Sequence, residues 1–367
     1  MGISKKGSET MLTASEKLVE QLNLTAADAV AVYNPSNMFY LTQGYTGEGV
    51  VYISRSQRVI ITDFRYTEQA ERQAPGFRVV MTEKGLTHNQ WIARLCREEA
   101  VAVLYYEDDY LTVKQYSALS MAVGEISLTA LNQAPEALRQ IKTEAEVSAI
   151  RRACQITSQA FDAILPVIRE GMTEKELQLE LDYTMLRMGA EGLAFTTIVA
   201  SGENGSLPHA IPGDRRLRKG DMITMDYGAK FGGYCADMTR TVALGQPTEQ
   251  MVHVYSTVLT AQEMCEEALC AGKVCSDIDK IARDYIDSQG YAGRFGHGLG
   301  HAVGIDIHED PRLSFSCHDI LRPGVVMTVE PGVYLPGVGG VRIENSCLVT
   351  ETGCEPLTTA PKQLIIL

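Results

Sequence analysis

The chain has 367 residues, 45% hydrophobic and 22% charged, with 33 Lys and Arg against 46 Asp and Glu for a formal net charge of −13. A globular chain of this length can bury one large core or two ordinary ones without disulfide or metal staples. The acidic balance opposes a nucleic-acid partner, which needs a basic face to displace counterions, and no apolar run reaches the roughly 18 residues of a membrane span.

The N-terminus, MGISKKGSETMLTASEK, is polar and lacks the apolar core of a signal peptide, with Met11 a candidate native start. DAVAVYNP and GVVYISRSQRVIITDF read as strands, the second string folding at a polar turn over residues 55–57. LTHNQWIARLCREEA is an amphipathic helix and AVAVLYY another β-leaning run. Strands alternating with helices predict a small α/β domain over residues 12–138. Near residue 140 the texture changes, after Pro135, to a long helical pattern in which Ile141, Val147, Ile150, Ala153 and Ile156 share a face. A second domain over residues 139–363 is expected. The 9 cysteines form no CxxC pair, and Cys265, Cys270 and Cys275 stand five apart, which is neither a zinc nor a dithiol spacing. They read as reduced, mostly buried thiols of a cytoplasmic protein, which makes Asn23-Leu24-Thr25 a chance sequon.

The second part contains an internal echo. LRKGDMITMDYG (217–228) matches LRPGVVMTVEPG (321–332) at an offset of 104, with Asp226 and Glu330 both six residues after the Gly. Upstream, residues 170–192 resemble residues 271–293, each a Gly followed by a helical pattern ending at Gly. Two similar halves, each presenting an acid to a shared centre, follow from that repeat.

In the first half, KFGG between two β-prone runs reads as a hairpin turn. With Phe231-Gly232 as its two-residue loop, Asp226 and Asp237 become direct cross-strand neighbours. Like charges there are destabilising unless a cation lies between them. The flanking Ile223, Met225, Met238 and Val242 oppose the simpler view in which one carboxylate caps a turn and the other is solvated. In the second half, VMTVEPGVYLPGVGGVRIEN has a strand ending at Glu330, a Pro/Gly-rich loop, and a strand with Arg342 and Glu344 on one face. One acid in a strand is weak evidence. Four at matching points of an echo indicate a cation site.

Carboxylates alone suit calcium or magnesium, and adding imidazole favours first-row transition metals. RFGHGLGHAVGIDIHED (294–310) carries His297, His301 and His308. Gly296, Gly298, Gly300 and Gly304 oppose a helical HxxxH pair, and HExxH is absent. Spacing alone does not say which histidine binds. His209, in SGENGSLPHAIPGDRRL, lies in a loop seventeen residues before Asp226. There is no GxSxG nucleophile elbow and no GxGxxG dinucleotide fingerprint.

The strings PHAIPGDRRLRKGDMITMDYGAKFGGYCADMTRT, GHGLGHAVGIDIHED, VEPGVY and GGVRIEN resemble the metallopeptidases of the aminopeptidase P, prolidase and methionine aminopeptidase group. The likeness spans roughly residues 140–360. It implies an α/β (α+β) pita-bread domain with two pseudo-symmetric halves around a dinuclear metal centre. NMFYLTQGYTGEG and TDFRYTEQA resemble the smaller creatinase-type N-terminal α/β domain, which methionine aminopeptidases lack. Carried over residue by residue, the metal ligands are Asp226, Asp237, His301, Glu330 and Glu344. His209 and His308 match histidines near the substrate, His297 matches a further active-site histidine, and Arg342 an outer partner of the carboxylates. Ala302 stands where Gly is common and Asn345 where Asp is frequent; neither is a ligand position. Two divalent ions are implied, manganese foremost, with cobalt, zinc or iron as alternatives, and a homodimer is expected. The implied reaction is metal-assisted hydrolysis of Xaa-Pro bonds in short peptides, with Glu330 taking the proton of the attacking water. The alternatives are an aminopeptidase of broader specificity, including N-terminal Met, and a binding protein on the same fold, which loss of ligands would mark.

Overall fold

The structure, a computed structural model, describes residues 12–367, so residues 1–11 of the polar N-terminal stretch, with the candidate start at Met11, lie outside the described residues. The chain divides between Arg139 and Gln140 into two units. Among the described residues no helix is long and apolar enough to cross a membrane.

The first unit holds strands β1 (Asp28–Val32), β2 (Val50–Ser54), β3 (Arg58–Thr62), β4 (Arg78–Met81), β5 (Val103–Tyr106) and β6 (Ser127–Ala130). Its helices are α1 (Ala14–Gln21), α2 (Pro35–Thr42), α3 (Thr67–Gln73), α4 (His88–Glu98), α5 (Val113–Val123) and α6 (Ala134–Arg139). The strands form one sheet of order β4-β3-β2-β1-β5-β6, in which β2 runs antiparallel to both neighbours and the other pairs are parallel. Capping boxes at Thr87/Gln90 and Thr112/Gln115 start α4 and α5. Ile92, Leu95 and Cys96 then pack with Leu119 and Val123 over Ala29, Tyr52, Ile61 and Leu104. This is the α/β layer expected from the alternating pattern.

The second unit opens on α7 (Glu144–Ile164), started by a Thr143/Glu146 capping box and burying Val147, Ile150, Ala153 and Ile156. Ile141, expected on the same helical face, precedes the helix. Its first half adds α8 (Glu174–Arg187), β7 (Gly192–Leu193), β8 (Ile198–Ser201), β9 (Met222–Tyr227), β10 (Ala229–Phe231), β11 (Tyr234–Cys235) and β12 (Met238–Ala243). The second half runs α9 (Glu249–Ala268), α10 (Cys275–Ile286), β13 (Gly300–Ala302), β14 (Glu309–Leu313), β15 (Val326–Val329), β16 (Gly332–Leu335), β17 (Gly339–Arg342), β18 (Asn345–Val349) and β19 (Cys354–Pro356). Each half has its own sheet, β12-β9-β8 and β14-β13-β15-β18-β19, and its own core. Phe161, Leu177, Leu181, Ile223 and Met225 anchor one; Val258, Ile278, Ala282, Met327 and Cys347 anchor the other. The echoed strings thus become α8 with β9 and α10 with β15. Each half is helix, connection, strand, acid.

One register differs from expectation. The hairpin turns at Gly232-Gly233, with Phe231 opposite Tyr234, and Asp226 pairs with Thr239 rather than Asp237. A two-residue hairpin loop of type I′ needs positive φ at both central positions, and Gly232 and Gly233 supply φ of 59° and 80° where Phe231 would be strained. Asp237 lies in the break between β11 and β12. The partner of Asp226 moves by two residues, and both carboxylates still line one cavity. Glu344 likewise sits in a break, between β17 and β18, rather than on one strand with Arg342.

Candidate metal centre and substrate cleft

Asp226, Asp237, His301, Glu330 and Glu344 all line one cavity of about 300 Å³, together with His209, His297, His308, Arg312 and Arg342. The structure therefore brings every site residue expected from the sequence to a single cleft. Ligand atoms of Asp237, His301 and Glu344 lie within 4.8 Å of one another. His301 Nε2 is 3.6 Å from Asp237 Oδ2 and 3.4 Å from Glu330 Oε1.

The surrounding backbone explains the placement. β13 carries His301, whose N–H donates to Thr328 Oγ1 at 3.0 Å. Its Nδ1 faces the Ala302 carbonyl at 3.1 Å, so Nδ1 carries the proton and the Nε2 lone pair points at the carboxylates. Burial pushes the imidazole down to about 3 and keeps it neutral, as a metal ligand must be. Glu330 follows β15; its N–H donates to Leu299 O at 2.9 Å and its Oε1 accepts from Thr328 Oγ1 at 3.2 Å. Glu344 accepts from Thr239 Oγ1 at 2.7 Å and donates its N–H to Thr239 O at 3.1 Å.

The cluster carries more negative charge than its protein partners neutralise. Burial, then neighbouring carboxylates, raise Asp237 and Glu344 well above the usual carboxylate range. Burial pushes Glu330 up to about 8. Asp226 Oδ1 and Glu344 Oε1 are buried with no hydrogen-bond partner. Buried acceptors without donors cost about 1–3 kcal/mol each. Orphaned carboxylate oxygens on a cavity that also holds a neutral imidazole are a donor set for divalent cations, so the residues fit the metal that their chemistry implies.

Arg342 is the guanidinium that meets this charge. It donates to Asp226 Oδ2 at 2.7 Å, Tyr334 Oη at 3.0 Å, Thr239 Oγ1 at 3.1 Å and the Pro208 carbonyl at 3.3 Å. His297 faces the Gly298 carbonyl through Nδ1 and the Tyr334 hydroxyl through Nε2, both at 2.8 Å. The first contact fixes the proton on Nδ1, so Tyr334 donates to Nε2 and accepts from Arg342. Burial lowers His297 to about 4. His308 stands edge-on to His301, ring centroids 4.4 Å apart, and His209 is exposed at the cavity wall.

Three further residues belong to the site and were not singled out from the sequence. Tyr334 sits inside the string VEPGVY, and strand alternation from Arg342 would have found it, since Gly332 pairs with Arg342 across the β16–β17 hairpin. Thr239 faces Asp226 across the ladder, which needed the correct register. Arg312 lines the cavity four residues beyond His308, with no local signal to separate it from a surface arginine.

A buried carboxylate–imidazole cluster at the junction of two pseudo-symmetric halves defines a metal-dependent hydrolase. Residues 148–351 match metallopeptidase family M24, and residues 15–141 match the creatinase/prolidase N-terminal domain. The chain belongs to metallopeptidase family M24. It is 39% identical to the structure of an Xaa-Pro dipeptidase from Bacillus anthracis, with a TM-score of 0.92 over 96% of this chain and 99% of that one. An X-Pro aminopeptidase structure from Thermotoga maritima gives 36% identity and a TM-score of 0.89 over 95% and 99%. An Xaa-Pro dipeptidase of Pyrococcus horikoshii is 32% identical over 95% of this chain and 98% of its own length. The pita-bread domain and the creatinase-type N-terminal domain are thereby established.

Proposed function

We propose that this metallopeptidase cleaves the Xaa-Pro bond of dipeptides at a dinuclear centre held by Asp226, Asp237, His301, Glu330 and Glu344. The observation that carries the reading is the pair of orphaned buried oxygens, on Asp226 and Glu344, within a crowded carboxylate cluster that holds one neutral imidazole. Two divalent ions, manganese foremost with cobalt, zinc or iron as alternatives, would there supply Lewis-acid charge and acidify a water. Every other task falls to the chain. Glu330, whose Oε1 lies 3.4 Å from His301 Nε2 on the cavity wall, accepts the proton of the attacking water and returns it to the leaving nitrogen. His308 and His209 border the cleft and donate to the carbonyl oxygen as charge develops on it. His297 orients Tyr334, and Arg342 holds Asp226.

Dipeptide preference rests on two supports. Relatives covering nearly the whole chain are named Xaa-Pro dipeptidases. Arg312 adds a cation to the cleft wall, suited to the C-terminal carboxylate of a two-residue substrate. The second reading, an aminopeptidase acting on longer Xaa-Pro-Yaa peptides, draws on the Thermotoga maritima neighbour. The reading includes a reducing, cytoplasmic compartment, which the nine free cysteines support. The test is hydrolysis of Xaa-Pro against Xaa-Pro-Yaa, after chelation and after reloading with each metal in turn. Cleavage of the dipeptide is expected. Preference for the longer peptide gives the second reading, and no hydrolysis of either refutes specificity for proline.

A further inference from the structure

Two helix pairs outside the centre stand in matching positions. On α8, Gln178 Nε2 donates to Asp182 Oδ2 at 3.4 Å, and Asp182 Oδ1 accepts from Thr197 Oγ1 at 2.5 Å. On α10, the Arg283 guanidinium grips Asp279 through two bonds, at 2.9 and 2.8 Å. Asp279 Oδ1 also accepts from the Leu299 N–H at 3.0 Å. Gln178 and Asp279, and likewise Asp182 and Arg283, are separated by 101 residues, the step of the helix echo, while Thr197 and Leu299 differ by 102. In each half an i,i+4 pair therefore holds the residue just before the strand that enters the cleft, Ile198 in β8 and Gly300 in β13.

The two brackets do different things. Thr197 is fully buried, and the side chains beside it, Phe195 and Ile198, form apolar wall of the cavity. Arg283 reaches further: it donates to Phe295 O at 2.8 Å and His297 O at 2.9 Å and lies 4.5 Å over the Phe295 ring. Residues 294–299 precede β13 and include Gly296 and Gly298, so no regular ladder fixes their path. The guanidinium fork supplies that constraint from outside.

We propose that these pairs are pseudo-equivalent positioning devices with divided tasks: Asp182 sets the apolar wall that receives the substrate, and Arg283 with Asp279 sets His297 and, through it, Tyr334. The proposal rests on the active-site reading given above. The experiment compares Arg283→Met and the milder Arg283→Lys with Thr197→Val and the milder Thr197→Ser. Each is assayed for kcat, KM, bound metal and Tm on the peptide the wild type cleaves best. Both Arg283 variants should lose about tenfold or more in kcat, with KM within about twofold and metal unchanged, because a lysine cannot span both carbonyls and the carboxylate. Thr197→Val should raise KM about fivefold with kcat within about twofold, and Thr197→Ser, which keeps the hydroxyl, should behave as wild type. Equal losses in both parameters from both sites, or loss of metal with activity, would overturn the division of tasks. Hydrogen exchange over residues 294–299 needs no substrate: Arg283→Lys should lose protection there and keep it in β15. Unchanged protection overturns the bracket itself, whereas a wild type inactive on every proline peptide overturns only the substrate reading.

Discussion

Arg342 gives the sharpest energetic test, because one guanidinium faces a nest of carboxylates. It is 3% exposed and donates four hydrogen bonds, among them 2.7 Å to Asp226. Replacing it with Met leaves Asp226 buried beside Asp237, Glu330 and Glu344 with its cationic partner removed. Breaking a buried ion pair from one side costs about 3–5 kcal/mol. For a unit of this size each kcal/mol lowers Tm by about 2–4 °C, so metal-free Arg342→Met should melt about 6–20 °C below metal-free wild type. Divalent metal restores positive charge to the cluster, so the gap should narrow in metal-saturated protein. The pH dependence has a definite sign. Glu330, Asp237 and Glu344 have raised carboxyls, so acid neutralises the cluster and makes the guanidinium less needed. The gap should be smaller at pH 6 than at pH 9. Calorimetry of both proteins, chelated and metal-loaded, at the two pH values is the assay. A chelated gap under about 3 °C, or one that widens with metal, would refute the electrostatic account.

Further outcomes follow from the same geometry. His301→Ala should lose metal and activity together, while His308→Ala should keep its metal by elemental analysis and lose turnover by about 100-fold; metal loss in His308→Ala would remove His308 from the substrate side. Gly300→Ala should cost about 2–3 kcal/mol and weaken metal binding, because a Cβ there would lie 2.1 Å from Thr328 O, on the strand pair that carries His301. Urea unfolding that leaves both metal binding and stability unchanged would contradict it. His297, depressed to about 4 by burial, is protonated first in the unfolded chain. Its stabilising contribution is complete above pH 6.5 and is lost as pH falls from there toward 4, about 2–3 kcal/mol by pH 4.5. His297→Asn should therefore lose less stability than wild type between pH 8 and pH 4.5, and equal losses by urea titration would contradict the burial argument.

What could be read from the chain, and what could not, divides along the range of the interactions involved. The acids were legible because Asp226 and Glu330 recur at one point of a repeated strand, and a repeated strand repeats its geometry. The long helix was legible because Val147, Ile150, Ala153 and Ile156 repeat within a turn or two, but its start was not, since the Thr143/Glu146 capping box leaves Ile141 outside α7. The hairpin register was not: KFGG offers more than one two-residue loop, and only the positive φ at both Gly232 and Gly233 selects among them, moving the partner of Asp226 to Thr239. The histidines were the hardest case. His297, His301 and His308 share one glycine-rich stretch, yet their roles are set by groups far away in sequence: Tyr334 for the first, the Asp237 and Glu330 carboxylates for the second. Even the path of the stretch is imposed from α10, by an arginine whose i,i+4 partner is Asp279. Glycine makes that dependence necessary. A segment with glycine at 296, 298 and 300 has few side chains to fix its path locally, and the residues that shape it must be sought wherever the repeat brings a helix against it.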